Sequence, residues 1–97
     1  MPCDSIKFSV HGLIKLTIRG IDAEDVIEVV RSGLIIFQYP KDKPYPSRLV
    51  LGWVGNGVDK KALHVVVAED LDNSNCIVVT AYWPDETIWL ADFKTKK

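Results

Sequence analysis

The chain has 97 residues, of which 47% are hydrophobic and 26% charged, and its formal net charge is −1. This length and composition predict one compact domain spanning residues 1–97. The net charge excludes a general basic field of the kind that attracts nucleic acid, so any such binding has to come from a local cluster.

The cysteines, the N-terminus and the lengths of the apolar segments bear on the cellular compartment. Cys3 and Cys76 lie far apart in sequence. A disulfide between them is one alternative, but the sequence favours the reduced state. No apolar segment reaches the ~18 residues that span a bilayer. The N-terminus does not have the basic-then-apolar order of a secretion signal. We therefore expect a cytoplasmic protein without membrane contact.

Two helices are predicted in the first third of the chain. Ser9 favours an N-cap for a helix that runs to about Arg19, where Gly20 favours a C-terminal stop. Asp22 caps the second helix, which ends at Gly33. The side of the first helix that we expect to be buried consists of Val10, Leu13, Ile14, Leu16, Ile18 and Ile21.

The rest of the chain predicts a sheet. Its strands cover Leu34–Tyr39 and residues 48–54, 63–68 and 76–83. The Gly-Asn-Gly at 55–57 starts the turn between the second and third of these strands. Asp85 caps a short C-terminal helix in which Trp89 and Phe93 face the sheet. The expected fold is α+β, with two N-terminal helices on one face of a four-stranded, mainly antiparallel sheet.

The last two strands form a hairpin whose few polar side chains are informative. We take the turn to close with Asp70 opposite Ser74. In that register His64 pairs with Thr80, and Tyr82 lies on the same face because side chains alternate with a period of two. A slip of one residue would move Thr80 and Tyr82 to the other face.

The motifs that the sequence lacks exclude several kinds of catalytic site. The sequence has no CxxC, no HExxH and no close set of histidines and carboxylates, no phosphate-binding glycine loop and no supported serine triad. We therefore expect no metal and no cofactor. The remaining His, Lys, Arg, Thr and Tyr side chains suit a metal-independent ribonuclease, which deprotonates a ribose 2′-hydroxyl, stabilises the pentavalent phosphate and protonates the leaving oxygen. The alternatives are a hydrogen-bonded core histidine at position 64 and a solvated helix face carrying His11, Lys15 and Arg19.

The segment HGLIKLTIRGIDAEDVIEVVRSG resembles the opening signature of the family called domain of unknown function 4258. That signature reads roughly His-Ala-x-x-Arg-Met-x-x-Arg-Gly-Ile and precedes an acidic second helix. The similarity continues through YPKDKPYPSRLVLG and LHVVVAED and ends with TAYWPDETIWLADFKTKK, so it covers about residues 8–97. Gly12, Lys15 and Leu16 stand where the family has alanine, arginine and methionine, and Lys15 loses the planar fork that grips phosphate at two points.

The resemblance implies a small toxin of a bacterial toxin–antitoxin pair, with a RelE-like or barnase-like fold and ribonuclease activity. It implies RNA and a small antitoxin protein as partners. The polar positions of the family correspond to His11, Lys15, Arg19, His64, Thr80 and Tyr82. The alternative from another functional class is a non-catalytic protein-binding module, which the balanced charge favours.

The ribonuclease hypothesis gives each candidate residue a role. His64 acts as general base or acid, Tyr82 as a proton or stacking partner, and His11 as an alternative acid. The substrate-binding residues are Lys15, Arg19 and Thr80. Because polar groups buried in isolation are costly, we expect the candidates on the first helix and the hairpin to border one shared depression.

Overall fold

The computed structural model describes residues 3–55, 58 and 60–97. Its helices and strands are β1 Ser5–Phe8, α1 Val10–Arg19, α2 Ala23–Ser32, β2 Leu34–Tyr39, β3 Ser47–Val54, β4 Lys61–Asp70 and β5 Asn75–Tyr82. The strands form one sheet in the order β1-β5-β4-β3-β2. Of the turn predicted at 55–57, residues 56 and 57 lie outside the described residues.

Both predicted helices are confirmed, with their caps. The Ser9 hydroxyl accepts a hydrogen bond from the Gly12 amide at 2.9 Å, and Gly20 ends α1 in the left-handed region with φ 64°. The Asp22 carboxylate accepts from the Glu24 amide at 3.0 Å. These side chains satisfy amides that have no partner within the first turn of a helix. Among the described residues, no helix has the length and hydropathy needed to cross a bilayer.

The prediction of a four-stranded, mainly antiparallel sheet was wrong. The observed sheet has five strands and is mixed. β1 pairs in parallel with β5, with Ile6 beside Cys76 and Phe8 beside Val78, while the other neighbouring strands are antiparallel. Four residues are too few for a clear period-two pattern. The paired residues are also about 70 positions apart in sequence, so no local turn signal predicts the pairing.

The predicted C-terminal helix was also wrong. The C-terminal segment (residues 84–97) is described throughout and contains turns but no helix. The Asp85 carboxylate accepts hydrogen bonds from the Thr87 amide and hydroxyl, both at 2.8 Å. The Asp92 carboxylate accepts from the Thr95 amide and hydroxyl. Short aspartate side chains that bond to the backbone two or three residues ahead compete with helical hydrogen bonding, which explains the turns.

The two faces of the sheet are covered differently. Both helices pack on one face, as predicted, in a cluster that includes Leu16, Ile21, Val26, Val29, Val30, Val50, Leu63, Val65, Val67 and Val78. The C-terminal segment covers the other face. There the Trp89 ring lies 6.0 Å from Phe37, and the Phe93 ring lies 5.7 Å from Trp53. The sheet is therefore the middle layer of the molecule.

The buried side of α1 is only partly the one that its apolar residues predicted, because Leu16 and Ile21 are buried as expected but the other four are exposed. Gly12 and Leu16 are buried, whereas the exposed fractions of Val10, Ile14 and Ile18 are 77%, 52% and 71%. A Cβ atom at Gly12 would lie 2.8 Å from the carbonyl oxygen of Val78. The glycine side is therefore the only one that lets the helix approach the backbone of β5 this closely, and the apolar stripe turns outward.

Cys3 and Cys76 form a disulfide with a Cα–Cα distance of 5.3 Å. The reduced state favoured by the sequence was therefore wrong for this structure. Cys76 is a buried residue of β5. The bond ties the residues just before β1 to the start of β5.

Candidate functional site

The hairpin of β4 and β5 brings the polar candidates together on one face, but in a different register from the one predicted. Asp70 pairs with Asn75, and His64 pairs with Tyr82 rather than Thr80. The turn is one residue longer than predicted, and an irregularity within the hairpin adds a second shift of one residue. Two such shifts restore the side-chain parity, so Thr80 and Tyr82 still share the face of His64.

His64 is completely buried, with 0% of its surface exposed. Its Nε2 lies 2.7 Å from the carbonyl oxygen of Phe93, and its Nδ1 lies 3.3 Å from the Tyr82 hydroxyl oxygen. The Trp89 ring stands edge-to-face against it at 4.6 Å. A carbonyl oxygen only accepts, so Nε2 carries the proton in the neutral ring and Nδ1 accepts from the Tyr82 hydroxyl.

The surroundings hold both members of this pair in their neutral forms at neutral pH. Burial lowers the pKa of His64, against an opposing effect of its hydrogen bond to Phe93. Burial also raises the pKa of the Tyr82 phenol; the Tyr39 phenol adds to this increase, and the positive charge of Arg19 opposes it. The same cause therefore acts on both groups, because burial disfavours whichever form is charged.

Arg19 lies at the edge of β5 beyond the end of β1. Its Nη1 donates to the Thr80 hydroxyl at 3.2 Å and to the Ala81 carbonyl oxygen at 2.8 Å. Its own carbonyl oxygen accepts a hydrogen bond from Trp83 Nε1 at 3.0 Å. The last residue of α1 thus fixes a guanidinium beside the row of polar side chains on β5.

The other candidates lie apart from this group. His11 is exposed and sits about 12 Å from Arg19 along the helix axis, while Lys15 is half-buried about 6 Å from Arg19. His64 has no exposed surface, so it borders no depression, and the predicted shared depression is not formed. The residues that do come together are Arg19, Thr80, Tyr82 and His64, hereafter the Tyr82 site.

Sequence reasoning did not foresee what closes this site. The carbonyl of Phe93 and the ring of Trp89 reach His64 from the C-terminal segment. The available signal was the pair of aromatic residues four positions apart, which predicted contact with the sheet but was assigned to a helix. Contact with the sheet was right, although turns rather than a helix deliver the two rings.

The arrangement has a specific chemical capacity. A half-buried phenol that donates to a buried neutral imidazole can accept a proton from a substrate while it passes its own inward. A fixed guanidinium nearby can stabilise negative charge. In the part of the chain that the structure describes, no three His, Cys, Asp or Glu side chains group as metal ligands would.

One comparison with known proteins gives a match. The family model described as Domain of unknown function (DUF4258) matches residues 8–83. No curated protein and no solved structure matches significantly. The matched range contains the whole Tyr82 site and stops before the C-terminal segment that covers it.

Proposed function

The chain belongs to the DUF4258 family, and we propose that it is a toxin-like, metal-independent ribonuclease of a toxin–antitoxin pair. The observation that carries the proposal is the hydrogen bond between the Tyr82 hydroxyl and His64 Nδ1, at 3.3 Å, beside a guanidinium that acts on the same phenol. Cleavage of RNA without a metal requires an acid–base group and a cation at the phosphate, and the Tyr82 site offers both.

The proposed reaction begins at the ribose 2′-hydroxyl. Tyr82 is half-buried and His64 fully buried, so the phenol is the member of the pair that RNA reaches. Its oxygen accepts the 2′-hydroxyl proton while its own proton passes to His64 Nδ1. The 2′-oxygen bonds to phosphorus as the bond between phosphorus and the 5′-oxygen breaks. The 5′-oxygen takes a proton from water. The proton on His64 then returns through Tyr82 to the hydroxide that remains. The product is a 2′,3′-cyclic phosphate.

The guanidinium supplies the electrostatic part of the proposal. Arg19 uses Nη1 for its two bonds to β5, and a guanidinium has five N–H donors in all. Its Nε and Nη2 donors are therefore the ones assigned to a phosphate oxygen, and Lys15, one helical turn away, adds charge. Thr80 acts by holding the guanidinium in place.

A ribonuclease that acts on cellular RNA works in the cytoplasm, which is part of the same proposal. The Cys3–Cys76 pair would meet a reducing environment there. The proposal therefore requires that the fold survive without the disulfide. It also requires a small antitoxin protein as partner.

The first prediction tests the activity on single-stranded RNA in excess EDTA. Cleavage is expected to persist and to leave 2′,3′-cyclic or 3′-phosphate ends. Tyr82→Phe removes only the hydroxyl and is expected to slow cleavage by about 100-fold or more, the usual contribution of a positioned acid–base group. Tyr45→Phe is the matched control, because it makes the same change in the loop between β2 and β3.

The same measurement can contradict the proposal in two ways. Loss of cleavage in EDTA with recovery in Mg²⁺ would mean that the cleavage depends on a metal. Equal cleavage rates for Tyr82→Phe and Tyr45→Phe would mean that the Tyr82 hydroxyl takes no part in the reaction. RNA length and product ends are both read on one denaturing gel.

A second candidate function, a non-catalytic protein-binding module, is favoured by the exposed side of α1. Its apolar stripe is Val10, Leu13, Ile14 and Ile18, with exposed fractions of 47% to 77%. These positions are neighbours on a helix surface. Arg19 is bonded to β5, but the helix also contains Lys15 and has no Asp or Glu, so the partner that fits is an acidic amphipathic segment. An antitoxin of that character would also occupy this face under the first proposal.

A further inference from the structure

A cleft with a volume of about 320 Å³ opens where β3 ends, β4 begins and β5 runs into the C-terminal segment. It lies outside the Tyr82 site, although Trp83 directly follows Tyr82. The side chains that define its character are Trp53, Trp83, Phe93, Lys60, Lys61 and Glu86. Aromatic rings and ammonium groups thus share one concave surface.

Each of the two indoles is held in place by a contact with another part of the protein. Trp53 is 49% exposed and is fixed by the Phe93 ring, which meets it edge-to-face at 5.7 Å. Trp83 is anchored by the hydrogen bond from its Nε1 to the carbonyl oxygen of Arg19. An exposed ring that is already fixed loses little conformational entropy when it binds a ligand, so Trp53 is a prepared stacking surface.

The charge in the cleft is positive although the molecule is not. Lys60 and Lys61 are positively charged and Glu86 is negatively charged, so the local charge is +1. The whole chain carries −1. The Nζ of Lys61 lies 5.7 Å from the centre of the Trp83 ring. That contact holds an ammonium group at the aromatic wall and leaves it exposed to an incoming anion.

We propose that this cleft binds one nucleotide of single-stranded RNA, with its base against Trp53 and its phosphate at Lys60 and Lys61. Stacking on aromatic side chains together with contacts from Lys to phosphate is the usual way in which proteins hold single-stranded nucleic acid. The volume lies within the range of small-ligand pockets. The proposal rests on the ribonuclease proposal, since it names where the substrate is held beside the Tyr82 site.

The test is fluorescence anisotropy of a labelled single-stranded RNA decamer with the full chain. Trp53→Leu is expected to weaken binding about tenfold, and Trp53→Phe to recover part of the loss because an aromatic plane remains. Lys61→Gln is expected to reduce the slope of log Kd against log salt by about 0.7, the value for one phosphate contact in single strands. Lys7→Gln, which removes an exposed lysine on β1, the strand paired with the end of β5 away from Trp83, should leave the slope unchanged.

Each outcome decides between the two proposals. Absence of RNA binding by the wild-type chain, or equal affinity of wild type, Trp53→Leu and Lys61→Gln, overturns the cleft. Displacement of the RNA by a poly-glutamate peptide at equal concentration also overturns it, in favour of a protein ligand. Loss of affinity in the cleft variants without any cleavage by the wild type supports the cleft and overturns the ribonuclease. If Trp53→Leu cleaves RNA and binds it as well as the wild type does, the cleft proposal is overturned and the ribonuclease proposal is not.

Discussion

His64 is the residue on which the interior of the molecule depends most directly. It is polar and entirely buried, but both ring nitrogens have partners, Phe93 and Tyr82. Burial of an unpaired polar group is costly, and these bonds offset that cost. The same bonds give His64 a structural role whether or not it moves protons. Substitution with alanine would leave a carbonyl and a hydroxyl unpaired inside the protein.

The second prediction concerns the effect of pH on stability. Since burial holds the folded-state pKa of His64 below the ordinary 6.5, the unfolded chain takes up a proton first as the pH falls. The free energy of unfolding should therefore be highest above the ordinary pKa and should decrease below it, by at most about 1.4 kcal/mol per pH unit. Urea unfolding followed between about pH 7.5 and 5.5 measures this slope.

A matched pair of variants tests whether His64 causes this pH dependence. His64→Gln should remove it, because glutamine does not titrate. His11→Gln should retain it, because His11 is exposed on α1. An unfolding free energy that stays constant over this pH range in the wild type would contradict the account of His64.

At the scale of a single element, α1 shows how packing can override hydropathy. The helix has a broad apolar side, yet it contacts the sheet through Gly12 and Leu16. The close approach that Gly12 allows, and the hydrogen bonds of Arg19 to β5, fix the rotation of the helix. An apolar stripe on a solvent-facing helix is typical of a surface that another protein covers.

The third prediction tests that surface with a defined probe. A synthetic amphipathic helical peptide rich in Glu and Leu should bind the protein, and a peptide with each Glu replaced by Lys should not. Ile18→Glu should weaken binding of the acidic peptide about tenfold, as expected for a central interface residue. Gln38→Glu, which adds the same charge at an exposed position of β2 on the other edge of the sheet, is the matched control for charge. Isothermal titration calorimetry gives both affinities.

Two results would contradict this assignment of α1. Equal binding of the acidic and basic peptides would mean that Lys15 plays no part in the choice of partner. Concentration-dependent dimers that Ile18→Glu converts to monomers would mean that a second copy of the chain covers the stripe. Sedimentation equilibrium distinguishes the second case.

In the whole molecule, long-range connections at both ends of the chain complete the fold. β1 and the Cys3–Cys76 disulfide attach the N-terminal residues to β5. The C-terminal segment returns across the opposite face of the sheet, where a β-bridge joins Trp89 to Lys96. Both ends therefore contribute to the surroundings of β4 and β5, on which the Tyr82 site lies.

The fourth prediction concerns the disulfide. It joins residues 73 positions apart, so it restricts the unfolded chain strongly. Reduction should lower the free energy of unfolding by about 2–4 kcal/mol. A small domain usually has about 5–15 kcal/mol of stability, so the reduced protein is expected to stay folded, as a cytoplasmic function requires. Urea unfolding with and without dithiothreitol measures the difference.

The control is Cys3→Ser, whose stability should match that of the reduced wild type and should not respond to dithiothreitol. An unfolding free energy of the wild type that dithiothreitol leaves unchanged would mean that the bond does not restrict the unfolded chain. Complete unfolding on reduction would contradict the cytoplasmic part of the functional proposal.

The sequence by itself determined the local structure of this protein. The side chain of Ser9 and the backbone freedom of Gly20 define the ends of α1, and Asp22 defines the start of α2, because a cap bonds only to residues within one helical turn. Runs of β-branched and apolar residues, bounded by turn residues, placed β2 to β5 within a few positions. Period-two alternation put Thr80 and Tyr82 on one face of β5, but whether they share that face with His64 depended on the register of the hairpin.

Only the tertiary structure decided which surfaces meet. The pairing of β1 with β5, the rotation of α1 about Gly12 and the cover over His64 all join residues distant in sequence. Their free energies depend on the surface that the other elements leave open, and no local pattern encodes that surface. For the same reason the six predicted residues do not all meet: α1 and β5 bring three of them, Arg19, Thr80 and Tyr82, together with His64.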